Sequence, residues 1–175
     1  IVATGGSALQ IASPPSSALG ALESNAVAHC WDEVSTFTLT APLAVNATEA
    51  YRRHPECFDE ATNAYLREGD PFGFQRLKYI RDVNESKALN SLHGPVVIIS
   101  ASGMCEAGRI LHHLRNNIED PRNTVMIVGF QAEHTLGRKI VEKRQEVPIF
   151  GEPVRLRAEV VVINELSGHA DQGEL

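Results

Sequence analysis

The residues best suited to chemistry lie in Ser100-Ala101-Ser102-Gly103-Met104 and in what flanks it. Before it runs Gly94-Pro95-Val96-Val97-Ile98-Ile99, a short apolar, β-branched stretch that opens at a turn and reads as a buried strand. After it, Met104, Ala107, Ile110, Leu111 and Leu114 fall at helical spacing, with Glu106, Arg109 and His113 turned away. The turn therefore joins the carboxyl end of a strand to the start of a helix. Unpaired helix N–H groups gather there, and a glycine lets a ligand approach the backbone closely. Such a turn can bind an anion, typically a phosphate, with the helix field contributing about 0.3–1 kcal/mol. One turn of this kind is weak evidence, because every α/β domain has several.

Two further strands end in the same manner. Residues 123–130 lead into Gln131-Ala132-Glu133-His134-Thr135-Leu136-Gly137-Arg138, and residues 160–164 into Glu165-Leu166-Ser167-Gly168-His169-Ala170-Asp171. In an open, mostly parallel sheet flanked by helices, the three polar segments converge on one edge, where such α/β domains bind ligands. The remaining elements support that class. Residues 8–12 read as a strand, 17–30 as a helix and 34–40 as a strand alternating around Phe37 and Leu39. Helices are expected at 44–53, 56–68 and 84–92, the last capped by Asn84, with a loop or short helix carrying Phe72 and Phe74 between them. Val147-Pro148-Ile149-Phe150 and Val154-Arg155-Leu156-Arg157 flank Gly151-Glu152-Pro153, which predicts an antiparallel hairpin at the sheet edge. No internal repeat or low-complexity linker interrupts the chain, so residues 1–175 are expected to form a single domain.

A net charge of -6 and a pI near 5.6 argue against wholesale electrostatic attachment to nucleic acid. The charge is unevenly distributed: residues 21–70 are strongly acidic, whereas 109–157 are slightly basic, so a local phosphate-facing surface is compatible with an acidic molecule. Cys30, Cys57 and Cys105 are odd in number and have no CxxC spacing, which predicts free thiols in a reducing compartment. No apolar run approaches the roughly 18 residues of a membrane span, and no signal-peptide pattern opens the chain. These features predict a soluble cytoplasmic protein with no membrane contact.

Ser102-Gly103-Met104, Gln131 to Arg138 and Ser167-Gly168-His169-Ala170-Asp171, with Ala41-Pro42-Leu43-Ala44 and Pro71-Phe72-Gly73-Phe74, occur in an order that resembles the β-CASP domain of metallo-β-lactamase-fold nucleic-acid hydrolases. The nearest pattern is that of bacterial and archaeal RNA-processing nucleases similar to the endonuclease that cleaves pre-mRNA 3′ ends. Residues 41–175 carry the resemblance. Where such proteins usually place an arginine-bearing Val-Gly-Arg segment, this chain has Ser16-Ser17-Ala18-Leu19-Gly20.

The resemblance implies that His169 contacts the scissile phosphate and protonates the leaving oxygen, with Asp171 orienting it. Ser167 and Gly168, which replaces a usual alanine, would bind a neighbouring phosphate. Ser102, Gly103, Met104, Thr135, Gly137 and Arg138 would hold other phosphates or the terminal nucleotide, Arg138 in bidentate fashion. His134 stands where many relatives have glycine. The implied partners are single-stranded RNA, met through its phosphate backbone, and the parent's metallo-β-lactamase domain; a homodimer is compatible with the sequence. Two zinc ions are implied for the parent enzyme, held there by a His-x-His-x-Asp-His motif that is absent here. The chain alone is therefore expected to hold no metal and to be catalytically silent.

Two other classes compete. One is a nucleotide-binding α/β module, disfavoured by the lack of a GxGxxG or GxxxxGK[ST] loop; the other is a structural or dimerisation domain. His112 and His113 are adjacent on a helix, make a poor metal pair and read as structural. The Arg155/Arg157 alternation reads as a solvated strand face.

Overall fold

In the computed structural model, residues 2–4, 36–68, 76–92 and 94–163 are described. The expected strand at 8–12, helix at 17–30 and aromatics Phe72 and Phe74 lie outside these residues, as do Ser167, Gly168, His169 and Asp171.

Eight strands are described: β1 (Val2–Thr4), β2 (Thr36–Leu39), β3 (Leu77–Tyr79), β4 (Val96–Ile99), β5 (Thr124–Val128), β6 (Glu146–Ile149), β7 (Glu152–Arg155) and β8 (Glu159–Ile163). The helices are α1 (Pro42–Arg53), α2 (Glu60–Glu68), α3 (Val83–Ala88), α4 (Arg109–Asn117) and α5 (Leu136–Val141), with single 3-10 turns at Pro55–Cys57 and Leu89–Ser91. Six strands form one sheet in the order β3-β2-β4-β1-β5-β8. All run in one direction except β1, which is antiparallel to both β4 and β5. The mostly parallel sheet is thus present, and the carboxyl ends of β2, β3, β4, β5 and β8 share one edge.

The continuous apolar run of β4 has its reason in this arrangement, because both faces of the sheet are covered there. Val96 and Ile98 pack with Ile80 and Leu89, whereas Val97 meets Phe37 with Leu77 and Ile99 alongside. The largest cluster lies over the other half of the sheet. Ile110, Leu114 and Ile118 from α4 and its exit join Val125, Ile127 and Val160 from the sheet, Leu136 and Ile140 from α5, and Val147, Ile149 and Val154. Each fully buried aliphatic chain contributes about 1.5–3 kcal/mol.

Several local expectations are corrected. The hairpin β6-β7 makes a two-stranded sheet of its own instead of extending the main edge. Its turn, with Phe150 at φ 54° and Gly151 at φ 81°, has the twist that suits a tight hairpin. Val147, Ile149 and Val154 face the core, and the N–H groups of Arg157 and Ala158 donate to Ile118 O at 3.0 and 2.9 Å, so the hairpin is held by α4. Arg155 and Arg157 lie in solvent, as their alternation suggested. Residues 77–79 are a strand, β3, paired in parallel with β2, because pairing with Phe37–Leu39 outweighs weak local signals. The cap of α3 is Asp82, not Asn84: its carboxylate accepts from Asn84 N at 2.8 Å and Glu85 N at 3.0 Å.

His113 is not turned away but buried. Its Nδ1 lies 2.9 Å from Asn90 Oδ1 and its Nε2 3.2 Å from Ser86 Oγ, tying α4 to α3 and the turn after it. Burial, with His112 and Arg109 adding charge repulsion, pushes its pKa down to about 4, so it is neutral at physiological pH. His112 instead faces outward against the Phe150 ring, 4.8 Å between centroids.

Candidate functional site

Helix α4 begins at Arg109, five residues later than Met104, because the segment after β4 first folds into a tight loop. Ser102 N donates to Ala107 O at 3.1 Å and Cys105 N to Ser102 O at 3.1 Å. The Ser102 hydroxyl accepts from Glu106 N and Ala107 N at 3.3 and 3.4 Å. Gly108 closes the loop at φ 84°, where a Cβ would stand 2.8 Å from Ala101 O, so the position needs glycine twice over. Gly103 and Met104 are therefore presented at the surface, and Ser102 is partly exposed. Met104 is not part of the helical core stripe; it is 39% exposed. Cys105 is buried, and burial pushes its thiol up to about 11, which removes it from nucleophilic chemistry. Cys57 is also a free thiol, and exposed, whereas Cys30 lies outside the described residues.

The segment after β5 turns over Gly129 and His134, at φ 90° and 69°, into α5. Thr135 caps that helix, its hydroxyl accepting from Arg138 N at 3.1 Å and donating to Ala132 O at 2.8 Å. The next two amides are also committed. Leu136 N donates to the Glu106 carboxylate, and Gly137 N to Met104 O at 3.0 Å. A carboxylate of this protein thus occupies the helix N-terminus at which an anion would be favoured.

Gln131 completes the joint. Its buried amide nitrogen donates to Phe130 O at 3.0 Å, to Gly103 O at 3.2 Å and to Gly129 O at 3.4 Å. Its carbonyl oxygen, which has no hydrogen-bond partner among the described residues, faces Gly137, where an added Cβ would come within 1.8 Å of it. The two loops are consequently one structural unit, and Ser102, Gly103, Met104, Thr135, Gly137 and Arg138 lie together at the carboxyl edge. Gly137 is buried; Arg138 is partly exposed. The Arg138 Nε donates to Glu142 Oε1 at 2.8 Å, leaving its two Nη groups without a partner among the described residues. The hydrogen bonds from Arg138 and Arg144 hold the Glu142 carboxyl below its usual range, so the trio carries net positive charge.

Arg109, read from sequence as outward-facing, has an architectural task. Its Nη1 donates to Thr40 O at 3.2 Å and Ile80 O at 3.1 Å, and its Nη2 to Arg81 O, gathering the ends of β2 and β3 onto α4. Sequence reasoning gave no role of their own to Glu106, read as outward-facing, to Gln131, the first residue of a segment that carries the resemblance, or to Phe130. A usable signal for Gln131 was a long polar side chain between Phe130 and Ala132, three residues past the end of a buried strand. Phe130 is 75% exposed and sits beside this joint.

Among the described residues no group of three or more His, Cys, Asp or Glu could hold a metal ion. They do not fit the metal the resemblance implies, and no chemical step is assigned through one. Among the same residues no helix is long and apolar enough to cross a membrane.

The family described as the Beta-Casp domain matches residues 9–140. The chain is 41% identical over 138 residues to a ribonuclease of Thermus thermophilus, covering 78% of this chain and 32% of the relative. It is 30% identical over 136 residues to the transcription termination factor FttA of Methanococcus maripaludis, covering 74% and 21%. An RNase J-like protein of Methanocaldococcus jannaschii is 37% identical over 106 residues, covering 61% and 23%. The chain therefore spans about a third or less of the length of these curated relatives.

Proposed function

Because the chain belongs to the Beta-Casp domain family, we propose that it forms the RNA-facing wall of a metal-dependent RNA-processing nuclease, a hydrolase of phosphodiester bonds. Residues 1–175 act as one domain in this reading, cytoplasmic and engaged with single-stranded RNA through its phosphates. Relatives named a ribonuclease and a transcription termination factor favour a nucleic-acid role.

The observation that carries the reading is the fusion of the two loops, in which Gly137 N–H···O=C Met104 and the Gln131 amide hold Ser102-Gly103-Met104 against Thr135 to Arg138. The outward Nη groups of Arg138 can meet a phosphate in bidentate fashion. The Gly137 amide and the Thr135 hydroxyl serve by shaping this wall. Ser167 and Gly168 supply a second phosphate contact, and His169, oriented by Asp171, protonates the leaving oxygen. The two zinc ions implied for the parent would be held by its metallo-β-lactamase domain and would supply Lewis-acid chemistry there. The chain alone is then inactive, and hydrolysis needs both parts.

The test is binding of a single-stranded oligoribonucleotide across a salt series. Wild type should lose affinity steadily as salt rises, and Arg138→Ala should bind more weakly with a salt slope shallower by about one. Binding that is saturated by a mononucleotide alone, or indifferent to salt and to Arg138, would refute the reading.

A further inference from the structure

We propose that Phe130 is a stacking platform for one RNA base, placed beside the phosphate-binding wall. This rests on the RNA reading above and adds a residue that meets bases rather than backbone. Phe130 is 75% exposed, more than Tyr51 at 57% or Phe150 at 55%. Those two rings are covered on one side, Tyr51 by Phe58 at 6.0 Å and Phe150 by His112 at 4.8 Å between centroids. Phe130 has no ring partner among the described residues.

Its backbone is tied into the joint while its ring is exposed. The Phe130 carbonyl accepts from the Gln131 amide nitrogen at 3.0 Å, and that nitrogen also reaches Gly103 O at 3.2 Å. The residue is therefore held against the Ser102-Gly103-Met104 loop, whose Met104 carbonyl in turn binds Gly137, the neighbour of Arg138. An exposed ring on the wall that also carries a guanidinium is the pairing that single-stranded nucleic acid uses: the base stacks, and the phosphate meets the cation.

The surroundings favour a base over a protein partner. Gly129 and Gln131 flank Phe130 in the chain, and the joint that carries it also presents the partly exposed Ser102, the 39% exposed Met104 and, from α5 onward, a net positive arginine-glutamate cluster. A protein-docking hot spot would set the ring in a wider apolar patch. Stacking asks only for a flat π-face and tolerates any base, so it adds affinity without sequence readout.

The experiment compares wild type, Phe130→Ala and Phe130→Trp on a single-stranded oligoribonucleotide and on an abasic strand of the same length. Phe130→Ala should weaken RNA binding about five-fold or more, leave the salt slope unchanged and leave the melting temperature unchanged. Its effect should vanish on the abasic strand. Phe130→Trp should retain affinity, and its emission should be quenched on binding. If wild type binds RNA and Phe130→Ala binds equally well, the stacking role is overturned and the RNA reading stands. If wild type binds no RNA, both fall.

Discussion

Replacing Gly137 by alanine should break the joint that unites the two loops. Ordinarily the change would help, since alanine is favoured over glycine in a helix by about 1 kcal/mol. Here the new methyl would stand 1.8 Å from Gln131 Oε1, 2.8 Å from Gln131 Cδ and 3.1 Å from Met104 O. Gln131 cannot simply swing aside, because it is buried and donates to three carbonyls. The amide has two N–H groups to share among them, so expelling it forfeits about two hydrogen bonds at about 1 kcal/mol each, a net cost of about 1 kcal/mol after the helix gain. Urea denaturation of Gly137→Ala, Gln131→Ala and the double variant measures this. In the Gln131→Ala background only the 3.1 Å approach to the Met104 carbonyl remains, so Gly137→Ala should be close to neutral, a coupling of about 1 kcal/mol. An equal cost for Gly137→Ala in both backgrounds refutes the steric argument, and a single-variant loss below about 0.5 kcal/mol, the usual surface range, refutes it as well.

Acidification should unload His113. Its folded pKa of about 4 lies below the usual 6.5, so the unfolded chain binds more protons between those values and stability falls as pH drops through that window. At 1.36 kcal/mol per unit, moving from pH 7 to 5 should cost about 2 kcal/mol. His113→Asn should flatten that part of the urea-midpoint profile, and an unchanged slope would count against the buried neutral imidazole. His134 holds a left-handed backbone at φ 69°, so His134→Gly should raise stability by up to about 1 kcal/mol in thermal melts; a loss of stability would mean that the imidazole makes a contact of its own. Asp82→Ala, which strips two amide bonds from the start of α3, should cost about 1 kcal/mol, and a far smaller change in urea midpoint would disprove its capping role.

The strands were legible where the apolar run was continuous. Val96–Ile99 and Thr124–Val128 are buried on both faces, and that demand leaves a direct mark on residue choice. Turn chemistry was legible too, as Ser102-Gly103 and Thr135 to Arg138 do converge. What the chain order hid was tertiary. β1 and β3 are three residues each and owe their existence to sheet partners, and no local pattern announces that. The late start of α4 follows from a loop whose hydrogen bonds close on Ser102, although Met104 and Ala107 continue the helical spacing. The commitment of Glu106 to α5 spans thirty positions in sequence, beyond any window of periodicity. Buried His113 looked polar and outward because its satisfaction depends on Ser86 and Asn90, distant in the chain.

The reversed strand at the middle of the sheet has a practical side. Val2 pairs with Ile98 and Val125, and Thr4 with Val96, so β1 enters from the rim that carries the two joined loops and runs away from it. A fluorophore or affinity tag joined ahead of Val2 would be delivered to that rim. A small one becomes a proximity reporter for whatever settles there, and a bulky one an obstruction to it.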